Sequence, residues 1–346
     1  MTNMRSITLV NKDGNNGLNF IDFSSTLSIA LWTAVAVIVC ASISLPLVMK
    51  LLQSRNLMDI PNERSLHREI IPRGAGIALA FAFSVGLLVS GTLDWPVWVA
   101  TLGYATLGAW DDLKRQSAGL RLFLQIAIAV LSIIGLSTQF ELSGLAMLVG
   151  VLLLVSTVNS VNFMDGINGI TALHALIWGI VYGCTFWILG QPDHIEIAVI
   201  LASIGLAFLP WNMPKARIFL GDSGSYLIGG TVGVLALLVA FSGEPLAALF
   251  PLAIYAADTG SALIRRIRSG EKITEAHKSH VFQKLVSSGH THSGAALIVT
   301  GFTAMTASFG LLSIGRSLPV QVAMVVLVIF VSALYLRLPK LTKMRK

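Results

Sequence analysis

Long apolar runs, broken by short polar interruptions, set the pattern of this chain. The runs lie near 27–49, 75–93, 96–110, 120–137, 142–162, 170–190, 195–211, 225–242, 246–264, 294–315 and 317–336. An apolar helix of about 20 residues crosses the hydrocarbon core of a bilayer. Such runs therefore predict membrane-spanning helices. Those at 96–110 and 195–211 are short, so the pattern predicts an all-α integral membrane protein with a bundle of about 10–11 spans. The first 26 residues are polar and have no apolar core of the signal-peptide kind. The division expected is a segment 1–26 outside the membrane, one multi-span domain 27–336, and a basic tail 337–346.

Composition supports a membrane chain, and charge orients it. Of 346 residues, 55% are hydrophobic and 12% are charged, where a soluble domain carries roughly 25% charged residues. Cytoplasmic loops are enriched in Lys and Arg. Segments 50–74, 111–121, 163–169, 212–224, 265–293 and 337–346, which alternate spans place on one side, hold 21 of the 24 Lys and Arg residues. Only Arg5, Lys12 and Arg316 fall on the other side. The expected topology has the N-terminus outside and the C-terminus in the cytoplasm. The net charge of +7 then reflects topology and calls for no nucleic-acid partner. Cys40 and Cys184 lie within spans and read as packing residues. Gly229 and Gly233 have the small-xxx-small spacing of close helix contacts.

The unusual polar residues crowd the basic side. The run 147–154 ends in Val155-Ser-Thr-Val-Asn-Ser-Val-Asn-Phe-Met-Asp-Gly-Ile-Asn-Gly-Ile170, far more polar than a simple reversal needs. Asn159, Asn162 and Asp165 are three apart, and a continuing helix would bring them toward one face. On the same side stand Asp111-Asp112, which repel unless a cation or base neutralises them. Asp222 lies in Gly221-Asp-Ser-Gly224, a small-residue turn whose backbone amides suit an anion. His277 and His280 share a helical face, with Lys278 and Lys284 close by. Two histidines so spaced are able to bind zinc, but no third ligand is near, and phosphate contact fits better. Carboxylates in small number suit Mg²⁺, with Mn²⁺ as the alternative, because these ions keep water and substrate phosphates in their shell. Arg64, Arg68, Arg73, Lys114, Arg121, Arg265 and Arg266 offer charge for phosphate oxygens. Together this is the inventory that phosphoryl transfer requires. Asp258, deep in a span, reads either as a functional carboxylate or as a structural partner of Arg265. His174 reads as a packing histidine.

These residues resemble the polyprenyl-phosphate N-acetylhexosamine-1-phosphate transferases. The motifs run in order: Asp59–His67 with Pro72–Gly76, Asp111-Asp112, Asn159–Gly169, Phe219–Ser225 and His277–Gln283. The form His277-Lys-Ser-His-Val-Phe-Gln283 is similar to the branch that initiates O-antigen and related glycans. The resemblance implies a UDP-N-acetylhexosamine donor and an undecaprenyl phosphate acceptor at the cytoplasmic face of a bacterial inner membrane, in contact with membrane lipid, with a homodimer left open. It implies that Asp222 ligates Mg²⁺ and that Asp111, with Asp112 beside it, acts on the lipid phosphate. Asn162 and Asp165 would line the nucleotide and metal region, with Asp165 counted beside Asp111 and Asp112 as catalytic; Asn168 would bind substrate, and Phe219 would stack near the uracil. His277 and His280 would contact the sugar nucleotide. Two positions depart from the family pattern: Asn168 replaces an Asp, and Gly119 replaces a basic residue whose charge Arg121, or Lys114 with Arg115, would supply. A multi-span transporter and a catalytically degenerate membrane homologue are the rival readings.

Overall fold

The computed structural model describes residues 23–61, 69–270 and 280–343. In chain order the helices are α1 Phe23–Ser54, α2 Gly76–Ser90, α3 Trp95–Trp98, α4 Tyr104–Leu113, α5 Ala118–Ser137, α6 Gly144–Met164 and α7 Ile170–Leu189. They continue with α8 Pro192–Asn212, α9 Gly221–Phe241, α10 Pro245–Leu249, α11 Ala253–Arg268, α12 Val281–Ser287, α13 His292–Ser313 and α14 Leu318–Lys343. Among the described residues nine helices are long and apolar enough to cross a membrane, with α10 and α11 joined through Phe250–Leu252 as one of them. Two shorter passages complete the expected count: α2, and the pair α3–α4 joined by a π-helical turn at Val99–Gly103. This is a multi-pass membrane protein.

Local sequence explains where helices begin and end. Ser117, Ser143 and Thr291 cap α5, α6 and α13 by accepting the amides of Leu120, Ala146 and Gly294, groups that otherwise lack a partner. Pro192 and Pro245 open α8 and α10, where the missing N–H costs nothing.

Helix α9 is the axis of the bundle, with 18 of its 21 residues buried. Small residues allow its neighbours to approach. A Cβ added to Gly76 of α2 would lie 1.9 Å from the Gly224 nitrogen, and one added to Gly108 of α4 would lie 2.2 Å from the Asp222 carbonyl oxygen. Gly229 and Gly233 seat α9 against Val158 and Leu154 of α6, as their spacing predicted. The large exposed apolar residues, such as Leu31, Phe123, Leu148 and Phe330, lie on outer helices, where lipid covers them. Cys40 and Cys184 are unpaired.

Because consecutive spans alternate in direction, the C-terminal ends of α4, α6 and α8 meet the N-terminal ends of α2, α7 and α9 at one end of the bundle. Among the described residues, Arg73, Arg121 and Lys215 are gathered there.

Candidate active site

A backbone graft fixes the site. The chain entering α2 runs beside the chain entering α9: Phe219 N–H donates to the Pro72 carbonyl at 2.8 Å, and the amides of Gly74 and Ala75 donate to the Phe219 carbonyl at 3.1 and 3.0 Å. This pairing delivers Arg73 to Asp222, Nη2 to Oδ1 at 2.8 Å, and to Asp112, Nε to Oδ1 at 3.5 Å. Asn162 of α6 donates to the same Asp222 Oδ1 at 2.9 Å and to Ser225 Oγ at 2.9 Å.

Asp112 accepts the amides of Asp222 and Ser223, both at 2.9 Å. The turn at Gly221–Gly224 therefore does bind an anion, but the anion is the protein's own carboxylate. That corrects the expectation of an open amide cradle. Asp111 accepts the Gln116 amide at 2.7 Å and Arg121 Nη1 at 2.9 Å. Arg121 thus brings its charge to Asp111.

Asp111 and Asp222 are each held by a guanidinium, Asp111 by Arg121 at 2.9 Å and Asp222 by Arg73 at 2.8 Å. Among the described residues no three His, Cys, Asp or Glu side chains gather closely enough to enclose a metal. An all-oxygen, partly complete ligand set fits a hard ion of the magnesium type, which takes its remaining ligands from water and phosphate. Asp111 and Asp222 are the residues that would hold it.

Of these groups, Arg73, Asn162 and Asp222 line a cavity of about 300 Å³, together with Asp59, Asp165, Asn168, Asn212, Phe219, Gln283 and His292, among others. Asp165 follows the last residue of α6 and accepts Thr171 Oγ1–H at 2.6 Å. Burial, offset only in part by that bond and by Arg73, pushes its carboxyl up to about 6. Burial opposes the Arg73 cation, but the charges of Asp222, Asp112, Asp59 and Asp165 outweigh it and hold the guanidinium's pKa above its ordinary value. Asn168 donates to the Pro214 carbonyl at 3.2 Å, and Asn212 ties the Gly169 amide at 2.6 Å to the Ile218 carbonyl at 3.0 Å.

Several expectations change. Asn159 does not join Asn162 and Asp165, because its amide donates to Gln125 Oε1 at 2.7 Å on α5. His280 is buried away from the cavity: its Nδ1 lies 3.2 Å from Asp258 and its ring stacks on Phe282. Asp258, read either as a functional carboxylate or as a partner of Arg265, bonds to this histidine, to the Val281 amide and to Tyr335. His277, Arg64 and Arg68 lie outside the described residues. His174 is a packed histidine, bonded to the Ile170 carbonyl and Thr303. Gln283 and Asp59 fell within recognised motifs but were not singled out. His292 gave no signal beyond a His-x-His at the start of α13.

A larger cavity of about 450 Å³ opens at the other end of the bundle, beside Asp94, Asp193, His194 and Glu196. Among the described residues no Arg or Lys lines it, whereas Arg73 lines the cavity at the first end.

The sequence comparisons agree with this geometry. The pattern of Glycosyl transferase family 4 matches residues 95–240, the stretch from α3 through α9. The chain is 28% identical over 273 residues to the probable undecaprenyl-phosphate N-acetylglucosaminyl 1-phosphate transferase of Bacillus subtilis (strain 168), covering 73% of this chain and 76% of that one. It is 30% identical over 268 residues to the phospho-N-acetylmuramoyl-pentapeptide-transferase of Phenylobacterium zucineum (strain HLK1), covering 62% and 72%. It is 26% identical over 293 residues to the undecaprenyl-phosphate alpha-N-acetylglucosaminyl 1-phosphate transferase of Escherichia coli (strain K12), covering 76% and 78%. The chain belongs to glycosyl transferase family 4 and is a glycosyl-1-phosphate transferase.

Proposed function

We propose that this enzyme transfers an N-acetylhexosamine-1-phosphate from a UDP-sugar to undecaprenyl phosphate, releasing UMP. We place the reaction at the cytoplasmic face of a bacterial inner membrane, as the first membrane step of an O-antigen or related envelope glycan. The observation that carries the reading is the fixed cluster of Arg73, Asp222, Asp111, Asp112 and Arg121. Two guanidinium groups and several carboxylates are held at one end of the bundle, beside a cavity suited to a diphosphate.

The chemistry follows from what these groups are able to do. An oxygen of the lipid phosphate attacks the phosphorus that bears the sugar. The bond from that phosphorus to the bridging oxygen breaks, and the electron pair leaves with UMP. One phosphoanhydride is exchanged for another, so the reaction is reversible. The lipid phosphate is already anionic at neutral pH and needs placing more than activating, which favours direct attack with both substrates aligned. Arg73 neutralises diphosphate charge, and Arg121 fixes Asp111. Asp165 and Asn162 shape the nucleotide side, with Phe219 at the wall. Mg²⁺, held by Asp222 and Asp111, would supply charge stabilisation for the leaving phosphate. The geometry disfavours Asp112 as a covalent nucleophile, since both its oxygens are engaged by backbone amides.

The test is a transfer assay with purified protein, Mg²⁺, undecaprenyl phosphate and a panel of UDP-N-acetylhexosamines. UMP should appear only when donor and lipid are both present. Release of UDP, or no lipid-dependent nucleotide with any donor, would refute the reading. The sugar that works best then names the pathway branch.

A further inference from the structure

The buried carboxylate of Asp258 does not line the cavity, yet three side-chain or backbone groups bond to it. It lies in α11 with 0% exposure. An isolated charge so placed is strongly disfavoured unless donors surround it. Tyr335 of α14 donates its hydroxyl to Oδ2 at 2.6 Å. The Val281 amide donates to Oδ1 and Oδ2 at 3.1 and 3.0 Å, and His280 Nδ1 lies 3.2 Å from Oδ1. One side chain thus ties the start of α12 to both α11 and α14.

What α12 carries makes that knot matter. His280 N–H donates to Gln283 Oε1 at 3.1 Å, and Gln283 lines the cavity with Asp222. Phe282 lies directly against the backbone of Gly166: a Cβ added there would be 2.8 Å from its ring. Gly166 adjoins Asp165. The register of α12 therefore sets both Gln283 and the turn that presents Asp165.

We infer that Asp258, through His280, Val281 and Tyr335, is a positioning residue that holds α12 as one wall of the donor site. This rests on the transferase reading above for the identity of the donor. Asp258 acts through α12 and touches no substrate. Losing the knot should loosen donor binding and leave the phosphoryl chemistry at Asp222 intact.

The test compares Asp258→Asn and Tyr335→Phe with wild type. Tyr335→Phe is the milder change, removing one hydroxyl donor, and keeps the question open to answer if Asp258→Asn fails to fold. Loss of a hydrogen bond to a charged group predicts a rise in donor KM of roughly tenfold for Asp258→Asn, and a smaller rise for Tyr335→Phe. The acceptor KM should stay within about twofold of wild type, and kcat should fall by less than the donor KM rises, since neither residue reaches the reacting groups. Hydrogen exchange at the amides of 281–287 should quicken in both variants. That second readout needs no turnover, so it judges the knot even if the transferase reading falls. Unchanged exchange in both variants, or a collapse of kcat at constant donor KM, would overturn the inference.

Discussion

Asp112 accepts the backbone amides of Asp222 and Ser223, both at 2.9 Å, so a carboxylate at the end of α4 closes the start of α9. Adjacent in sequence to Asp111, it has a different task. Asp111 faces Arg121 and the Gln116 amide, whereas Asp112 sets the position of Asp222 itself.

The first prediction follows from this division. Asp112→Ala leaves two amides without their acceptor, and hydrogen bonds to charged groups are worth about 1.5–3 kcal/mol each. The variant should unfold at a lower temperature than wild type and also lose activity. Asp111→Asn should lose activity with a much smaller thermal shift. Melting curves in detergent, set beside rates, separate the two. Equal thermal shifts would contradict the assignment.

The same relationship speaks to mechanism. With both Asp112 oxygens engaged, a phospho-sugar on that residue would have to displace the amide held by the oxygen it uses. Labelled UMP should therefore exchange into UDP-sugar only when the lipid phosphate or its product is present. Exchange in lipid-free protein would establish a covalent intermediate.

Asp222→Asn tests the metal. Arg73 and Asn162 still have an oxygen to meet, so the variant should fold. Removing the charge should cost several kcal/mol, about what metal-assisted charge stabilisation supplies. Full activity in this variant, or in wild type with excess EDTA, would refute the role given to Asp222.

Asp165 predicts a pH dependence. Burial raises its carboxyl to about 6, above the roughly 4 of an exposed aspartate. A raised value means that the folded chain binds the proton more tightly. That contribution to stability is complete below about pH 4 and is lost as pH rises through about 6. If the ionised form serves the reaction, activity should climb over the same upper range, and Asp165→Asn should abolish the climb along with most activity. A wild-type profile flat from about pH 5 to about 8 would exclude Asp165 as a controlling group, because one titration spans roughly a unit on each side of its midpoint.

How much of this was legible in the sequence depends on the range of the interaction. Spans could be read because apolar length is a local property, and α9 declared its packing face through Gly229 and Gly233. The site could be read as a set of motifs, since Asp111, Asn162, Asp165 and Asp222 are polar where lipid would forbid them without a purpose. Direction within the set was not legible. Asn159 and Asn162 differ by less than one helical turn, yet one meets Gln125 and the other Asp222, a choice made by α5 and α9. His280 belonged to a recognised motif, but its partner, Asp258, lies 22 residues earlier, and Tyr335 lies in a different span again. No periodicity links them; only the packing of α11, α12 and α14 does.

Orientation rests on charge alone, and so has its own test. Cysteines introduced at Ala118, on the basic side, and Ser317, on the other, are both at exposed positions. In intact cells an impermeant maleimide should label position 317 and spare 118. Labelling at 118 would invert the topology and move the site to the outer face.

The central claim is that the sugar travels with its phosphate. A UDP-N-acetylhexosamine labelled separately in the sugar and in the β-phosphate, incubated with wild-type protein, Mg²⁺ and undecaprenyl phosphate, follows both at once. The account predicts that the two labels enter the lipid fraction in equal amounts, matched by UMP, and that Asp222→Asn abolishes both. Sugar label in the lipid with the β-phosphate left behind in UDP, or no label in the lipid with any donor, would contradict it.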